Sequence, residues 1–274
     1  MSEIAAPEFD LRLTLESGQV FHWQCDGEGW RGLIDRAPVR VEQRGATLDV
    51  TPGAEALVAR YFALDHPLAE IYAGFPTDDF SRAALAANRG LRIIRQPRWE
   101  CLATFLTSAM KQVSHIRAMS LALRAKFGEP VEGSDIAAYP TPQRLARATE
   151  AQLRACGLGF RAPHLRQTAK AIADGRVDLA ALGEMDTERA LEELCKLPGV
   201  GRKIANCVLL FAYERLDAVP VDVWIARVAR AMHGDAPLAR LEAVSRERFG
   251  PFAGYVQQYL FHHARVSKTL PGSK

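Results

Sequence analysis

The chain has few cysteines and lacks the sequence patterns of secreted and membrane proteins. Its 274 residues include five cysteines and no Cys-x-x-Cys pair; they are Cys25, Cys101, Cys156, Cys195 and Cys207. An odd, dispersed set disfavours both a disulfide framework and a four-cysteine iron–sulfur cluster. Residues 1–10 show no signal-peptide pattern, and no stretch approaches the ~18 apolar residues of a membrane span. We therefore expect a protein that is not secreted, in the cytoplasm or nucleoid of a bacterium or the nucleus of a eukaryote.

Charge is divided unevenly along the chain. Residues 1–90 hold 8 Lys and Arg against 14 Asp and Glu, a net charge of −6, whereas residues 91–274 have a net charge of +9. A basic later part fits a nucleic-acid surface, although charges scattered over solvated helices give the same sum. Apolar residues make up 48% of the chain, which is ample for a hydrophobic core.

The hydrophobic pattern changes period once, near residue 52. Before it, short alternating segments separated by turn residues predict antiparallel strands at residues 11–15, 20–24, 30–34, 39–43 and 47–51. After it, apolar residues recur at helical spacing. We expect an α+β, mainly α fold. An N-terminal antiparallel sheet domain with flanking helices would occupy residues 1–95, and a helical body would occupy residues 96–274.

The segment Leu197-Pro198-Gly199-Val200-Gly201-Arg202-Lys203 predicts a helix end, a tight turn and a new helix. Pro198 resists helix, while Gly199 and Gly201 permit backbone angles and close approaches that a side chain would block. The amides that open the next helix are then free to bind an anion, and a nucleic-acid phosphate is the natural candidate.

Two charged residues follow this turn, and each has two interpretations. Lys203 is either an exposed cation in contact with phosphate or water, or a partly neutral amine able to attack a sugar carbon. Asp222 lies 19 positions further along, just before another helical pattern, where a short acidic side chain fits an N-cap. A capping carboxylate is also fixed in place, which suits the stabilisation of positive charge on a sugar ring.

These residues resemble the helix-hairpin-helix DNA glycosylases, and among them most resemble the 8-oxoguanine DNA glycosylases. The hairpin, about residues 187–213, continues into Ala218-Val219-Pro220-Val221-Asp222-Val223. Ser17-Gly18-Gln19-Val20-Phe21-His22-Trp23 is similar to the family's Ser-Gly-Gln-x-Phe-Arg-Trp strand motif. Further matches in the same order extend the resemblance over roughly residues 11–265; they are Tyr61-Phe62-Ala63-Leu64-Asp65, Leu91-Arg92-Ile93-Ile94-Arg95-Gln96, Glu100-Cys101-Leu102, Gly157-Leu158-Gly159-Phe160-Arg161-Ala162 and Ala253-Gly254-Tyr255-Val256-Gln257.

The resemblance implies a bifunctional glycosylase and lyase that acts on 8-oxoguanine flipped out of duplex DNA. Lys203 matches the lysine that attacks the sugar C1′, displaces the base and forms a Schiff base, after which β-elimination can nick the strand. Asp222 matches the catalytic aspartate. The residues implied to bind the base are Gly18 at the protonated N7, Cys207 and Phe261 on its two faces, Gln257 at its Watson–Crick edge, and Pro220 beside the aspartate. Without the resemblance, these would be ordinary core, surface and turn residues.

The resemblance also places DNA contacts and a cation site in this chain. The implied DNA-contacting residues are Met110, Lys111, His115, Arg161, Gly199, Gly201 and Trp224. Trp224 stands where many members have a histidine, although an indole N–H can still donate one hydrogen bond. The carbonyls of Cys195, Leu197 and Val200 match a structural monovalent-cation site. We expect no other cofactor, and a monomer that binds duplex DNA containing an oxidised purine.

The segment implied to contact the opposite strand departs from the family pattern. After Thr107-Ser108 the family usually carries asparagines, one of which fills the gap left by the flipped base, but here Met110 occupies that position. His115 replaces one of the two arginines that contact the opposite cytosine, Arg161 retains the other, and Phe160 replaces a tyrosine. Because one bidentate donor supplies about 1–3 kcal/mol of base discrimination, we expect weaker selectivity for cytosine opposite the lesion.

Two other functions stay open at this point. A monofunctional glycosylase for another modified purine would keep Asp222 and lack Lys203, so Lys203 disfavours it. The missing cysteine cluster disfavours the iron–sulfur members of the superfamily. A non-catalytic helix-hairpin-helix protein that binds DNA needs neither Lys203 nor Asp222, and it needs neither Cys207 nor Phe261. The presence of these residues disfavours that function.

Overall fold

An antiparallel sheet forms near the start of the chain. The computed structural model describes residues 1–109 and 111–272, so the prediction for Met110 lies outside the described residues. The sheet order is β1-β5-β4-β3-β2, and every neighbouring pair is antiparallel. The strands are β1 (Ser2–Ala5), β2 (Gln24–Asp26), β3 (Gly29–Ile34), β4 (Ala37–Arg44) and β5 (Thr47–Val50). Val39 and Val41 of β4 alternate with more exposed residues, so that one face of the sheet is buried.

Helices make up most of the remaining structure. They are α1 (Leu11–Glu16), α2 (Glu55–Tyr61), α3 (Leu68–Ala73), α4 (Asp79–Ala87), α5 (Arg98–Thr107), α6 (Val113–Phe127), α7 (Pro142–Arg147), α8 (Glu150–Arg154), α9 (Ala162–Ala173), α10 (Thr187–Cys195), α11 (Arg202–Tyr213), α12 (Val223–His233), α13 (Leu238–Phe249) and α14 (Ala253–Ser267). Within the described ranges, none of them has the length and apolar character needed to cross a membrane. The predicted α+β, mainly α fold is confirmed.

Two hydrophobic cores hold these elements together. The smaller core joins the buried face of the sheet to α2 and includes Trp23 and Phe62. The larger core is helical, yet it also takes side chains from α3 and α4 and from residues 91–93. The division of the chain into domains at residue 95 stays a prediction.

The strand prediction for residues 11–15 is wrong, because these residues form α1. Asp10 caps this helix, and its Oδ1 accepts a hydrogen bond from the Leu13 amide at 2.8 Å. Leu11 and Leu15 lie four residues apart on one helical face and are both buried in the smaller core. Apolar residues at positions 11, 13 and 15 fit the two-residue period of a strand, while positions 11 and 15 also fit the four-residue spacing of a helix. The N-cap at Asp10 favours the helix.

The strand prediction for residues 20–24 is also largely wrong, since Gln24 alone of these residues belongs to a strand. Residues 20–23 are all buried, so the two-residue period predicted from the sequence is absent from their burial. Phe21 packs into the larger core, whereas Val20 and Trp23 pack into the smaller one. The segment crosses between the two cores, so its apolar side chains are buried without strand pairing. The sequence also gave no indication of β1, which lies at an edge of the sheet.

A buried ionic cluster fixes α5 and α6 against the sheet. Arg124 of α6 pairs with Glu100 of α5, and the His22 ring lies 3.2 Å from Glu100 and 2.7 Å from the Leu33 carbonyl of β3. Burial disfavours the Glu100 carboxylate, but Arg124 and His22 outweigh this effect and lower its pKa to about 2. The two helices that lead into and out of residues 108–112 are therefore firmly anchored.

Candidate functional site

The hairpin between α10 and α11 uses its two glycines differently. Gly199 has a φ of +79°, and a Cβ there would lie 2.8 Å from the Cβ of His164 on α9, so both the turn and the packing require glycine. Gly201 has an ordinary φ of −101°, and within the described chain a Cβ there would meet no atom within 4 Å. Gly201 is the N-cap of α11 and offers no side chain to its first amides. An open helix N-terminus of this kind is a suitable site for an anion.

Lys203 lies on the first turn of α11 and is half-buried rather than freely exposed. Its Nζ donates a 3.4 Å hydrogen bond to Ser108 Oγ and lies 5.5 Å from the centre of the Phe105 ring. Cys207 follows one turn later and is buried. Burial raises the pKa of the Cys207 thiol, an effect that the nearby Lys203 charge opposes. The lysine amine is thus directed along α11 toward the end of α5.

Asp222 is the N-cap of α12, which agrees with the capping interpretation of the sequence. Its Oδ1 accepts hydrogen bonds from the amides of Trp224 at 3.0 Å and Ile225 at 2.9 Å. Burial raises the pKa of the Asp222 carboxyl above its ordinary value. The two amide bonds and the charges of Lys203 and Arg265 oppose that rise. The carboxylate is therefore fixed in position and electrostatically coupled to the lysine.

Gly18 follows α1 and does not lie in a β-hairpin. Its φ is +87°, and a Cβ there would lie 3.3 Å from Val113 and 3.5 Å from Phe261. A glycine is therefore required by the backbone conformation, and its small size allows close contact with the ring of Phe261 on α14.

The segment around Gly18 is held by buried glutamines. The Gln19 side chain donates to the Arg92 carbonyl at 2.8 Å and accepts from the Ile94 amide at 2.9 Å. Gln258 of α14 donates to the Ser17 carbonyl at 3.1 Å. Bonds on both sides of Gly18 therefore fix the backbone that the resemblance assigns to lesion recognition.

Helix α14 contributes two of the implied base-binding residues. Phe261 is half-buried against Gly18. Gln257 is 4% exposed, and within the part of the chain that the structure describes no group donates to its buried Oε1. A buried amide oxygen without a partner is unusual in a folded protein, and a ligand donor would satisfy it.

The structure also shows site residues that the sequence interpretation missed. Ser108 and Phe105 contact Lys203, and Arg265 lies next to Phe261, with its Cζ 5.6 Å from the ring centre. A helical spacing of four from Phe261 could have indicated Arg265. Ser108 carried no comparable signal, because its contact depends on how α5 packs against α11.

The implied opposite-strand residues are arranged very differently. Arg161 is 3% exposed, and its guanidinium donates to the carbonyls of Ala109 at 2.9 Å and Leu158 at 3.3 Å. Burial lowers its pKa. Phe160, whose ring lies 4.2 Å from the Arg161 Cζ, is 58% exposed, and Lys111 and His115 are also exposed. In this conformation Arg161 binds the protein's own backbone.

The remaining predicted site residues lie around the hairpin and α12. Pro220 is buried, and Trp224 is half-buried with the Arg227 Cζ 5.6 Å from its ring. Leu197 and Val200 are buried, and Cys195 is half-buried. The Leu197 carbonyl accepts a 3.0 Å bond from the Val200 amide. A monovalent cation held by the carbonyls of these three residues stays a prediction.

Two family models match the chain. Residues 2–102 match the N-terminal domain of 8-oxoguanine DNA glycosylase. Residues 104–248 match the HhH-GPD superfamily of base excision DNA repair proteins. Together the two models extend across the sheet, the hairpin and most of the helical body.

Individual proteins are similar over nearly the whole chain. A probable N-glycosylase/DNA lyase of Methanothermobacter thermautotrophicus is 29% identical and covers 97% of each chain. An N-glycosylase/DNA lyase of Arabidopsis thaliana is 30% identical over 93% of this chain and 77% of its own length. The 8-oxoguanine glycosylase/lyase of Clostridium acetobutylicum, solved with duplex DNA containing cytosine opposite the lesion, superimposes with a TM-score of 0.89. It is 28% identical and covers 95% of this chain and 93% of its own.

Proposed function

Because the chain belongs to the HhH-GPD superfamily of base excision DNA repair proteins, we propose that it excises 8-oxoguanine from duplex DNA and nicks the resulting strand. The observation that carries this proposal is the placement of Lys203. The residue is half-buried, its amine donates a hydrogen bond to Ser108, and its charge interacts with the fixed carboxylate of Asp222. This combination provides both a nucleophile and a negative charge for a reaction at a sugar carbon.

The base must leave the helical stack before it can react, because Lys203 cannot reach C1′ inside a duplex. In the extrahelical position the base would lie between Cys207 and Phe261. The Gly18 carbonyl would accept a hydrogen bond from N7–H of 8-oxoguanine, which guanine lacks. Gln257 would contact the Watson–Crick edge, where its buried oxygen can accept a hydrogen bond from the base.

Base release is a substitution at C1′. The Lys203 Nζ forms a bond to C1′ while the bond from C1′ to the base breaks, and the departing base takes the electron pair. The proton lost by the amine neutralises the base. Asp222 stabilises the positive charge that develops on the sugar ring. The C1′–O4′ bond then breaks, O4′ takes the electron pair and a proton, and C1′ and Nζ form a Schiff base. This acidifies the C2′ hydrogen, so removal of that proton and β-elimination expel the 3′ phosphate and nick the strand.

DNA backbone binding would use the N-terminus of α11. Its first amides and the open surface at Gly201 can bind a phosphate, and Gly199 maintains the turn. A monovalent cation at the carbonyls of Cys195, Leu197 and Val200 would stiffen the same turn. We propose that the protein acts as a monomer, since all of these groups come from one chain.

Borohydride trapping tests the proposal. Incubation with duplex DNA containing 8-oxoguanine should give a covalent complex that is absent in Lys203→Gln. Lys170→Gln provides a matched control, because Lys170 is exposed on α9 and pairs with Asp174. Base release and strand nicking should be scored separately, since a monofunctional glycosylase would release the base without trapping. Trapping that persists in Lys203→Gln would remove this lysine from its assigned role.

A further inference from the structure

Arg265 on α14 takes no part in the chemistry described above, yet it contacts several elements of the site. Its Nη2 donates to the Glu16 carbonyl at 2.9 Å, and its Cζ lies 5.6 Å from the centre of the Phe261 ring. Its positive charge also acts on Asp222. One side chain thus touches the end of α1 and an implied base-binding residue.

We propose that Arg265 is a positioning residue for lesion recognition, which ties the segment from Glu16 to Gly18 to α14 and holds Phe261 in place. The inference rests on the proposed function of the site. Arg265 does not itself contact the base. It sets the position of Gly18 relative to Phe261. Gly18 would contact the edge of the base, and Phe261 would contact one face of the base.

The geometry of the segment supports this role. Glu16 precedes Gly18 by two residues, and the position of a Gly18 Cβ would be 3.5 Å from the Phe261 ring. A displacement of the Glu16 carbonyl therefore moves Gly18 relative to the ring. Arg265 binds this carbonyl and lies beside the same ring, so both sides of the contact depend on one guanidinium. A charge-assisted bond of this kind is stronger and shorter than a neutral one.

His262 fixes the guanidinium from a second direction. Its Nδ1 lies 2.9 Å from the Arg265 Nη2. Burial lowers the pKa of His262 to about 4, and the charge of Arg265 adds to this effect. The imidazole is therefore neutral at physiological pH, and its Nδ1 can accept a hydrogen bond from Arg265. The groups that face Arg265 are then Glu16, Phe261 and His262, with Asp222 close enough to act through its charge.

The test compares base release with nicking at a preformed abasic site, which contains no base to recognise. Arg265→Met should slow single-turnover release of 8-oxoguanine by about tenfold or more, because a hydrogen bond from a charged donor is lost. Nicking of the abasic duplex should stay within about twofold. Arg265→Lys should recover part of base release, since it retains the charge and one donor. All rates are measured at pH 8, which is above the ordinary range of carboxyl pKa values, so that loss of the Arg265 charge is not confused with protonation of a carboxyl group.

Arg98→Met is the matched control, because Arg98 makes the same types of contact away from the site. It donates to the Leu179 carbonyl at 3.3 Å, and its Cζ lies 4.9 Å from the Tyr213 ring centre. Equal loss of base release and abasic nicking in Arg265→Met would overturn the inference, as would wild-type rates for both. Failure of the proposed function is distinct, since the wild-type protein itself would then release no 8-oxoguanine.

Discussion

The hairpin side of the site and the opposite-strand side differ in where their polar groups are directed. On the hairpin side, Gly201 leaves the first amides of α11 open, and Asp222 is held by two backbone amides and interacts electrostatically with Lys203. On the opposite-strand side, Arg161 is buried and donates to the carbonyls of Ala109 and Leu158. The side chains of Lys111 and His115 are exposed there, as is the apolar ring of Phe160.

The difference indicates which properties of the enzyme are built into the free protein. The two residues proposed to act on the sugar, Lys203 and Asp222, lie at the N-terminal ends of α11 and α12, and fixed groups of this kind lower a reaction barrier. A side chain that must break its own hydrogen bonds before it contacts a base contributes less to binding. We therefore expect strong catalysis combined with weak discrimination of the opposite base.

Asp222→Asn should give the largest effect on the rate of base release, and it tests the role of the hairpin side of the site. Asparagine caps a helix about as well as aspartate, so the free energy of unfolding should change little. Loss of the negative charge should slow base release by roughly 10²-fold or more, as when other electrostatic groups are removed from active sites. Single-turnover kinetics and thermal unfolding measure the two effects. Asp222→Ala is the control that loses both the cap and the charge, and a slow, strongly destabilised Asn variant would contradict the prediction.

Gly199→Ala and Gly201→Ala should separate folding from DNA binding within the hairpin. The first places a Cβ at positive φ against His164 and should lower the free energy of unfolding by about 1–3 kcal/mol. The second meets open space in the described chain and should cost less than about 1 kcal/mol, mainly through a poorer N-cap. It should still weaken binding of duplex DNA, because the added methyl group lies where a phosphate would approach. Chemical denaturation and a binding titration check the pair. Equal destabilisation by both substitutions would show that this account of the two glycines is mistaken.

Cleavage opposite each of the four bases tests the other side of the comparison. We expect rates that differ by less than about tenfold, since His115 and an internally bonded Arg161 leave few donors for the opposite cytosine. Arg161→Ala should reduce all four rates by a similar factor. A strong preference for cytosine that disappears in Arg161→Ala would break the comparison, because Arg161 would then leave the Ala109 carbonyl when DNA binds.

The dependence on pH should give the mildest effect over the range in which Asp222 is only partly protonated. Burial raises the pKa of Asp222, so base release should begin to fall at a higher pH than an ordinary aspartate would cause. The folded state favours protonation of this carboxyl, so its titration does not destabilise the protein as the pH falls. Glu100 behaves oppositely, because its pKa is lowered to about 2 and the stability it contributes is lost as the pH falls from above 4.5 toward 2. Activity should therefore decline while circular dichroism still reports a folded protein. A decline that coincides with unfolding would argue against this assignment.

The hairpin could be predicted from the sequence because its requirements are local. Pro198, the two glycines and the spacing to Lys203 fix a turn within one short segment, and the structure contains that turn. The end of α6 follows an equally local signal, with Gly128 and Pro130 after the last helical residue.

Features that depend on distant packing could not be predicted in this way. Residues 11–15 alternate as a strand would, and a cap from Asp10 and burial of one face favour the helix. The bond between Lys203 and Ser108 joins residues 95 positions apart, and that between Arg265 and Glu16 joins residues 249 positions apart. Such contacts are set by how α5, α11 and α14 pack, which no local pattern records.

Within residues 1–109 and 111–272, no group donates a hydrogen bond to the buried Gln257 Oε1. An unsatisfied buried acceptor costs on the order of 1–3 kcal/mol, and a base that donates to it would remove that cost on entering the pocket. A base without a hydrogen-bond donor at this edge would leave the Gln257 oxygen unsatisfied and would gain no binding energy from it. Occupancy by a suitable base should therefore stabilise the whole fold, so the melting temperature of a reduced covalent complex that retains the base would exceed that of one without it.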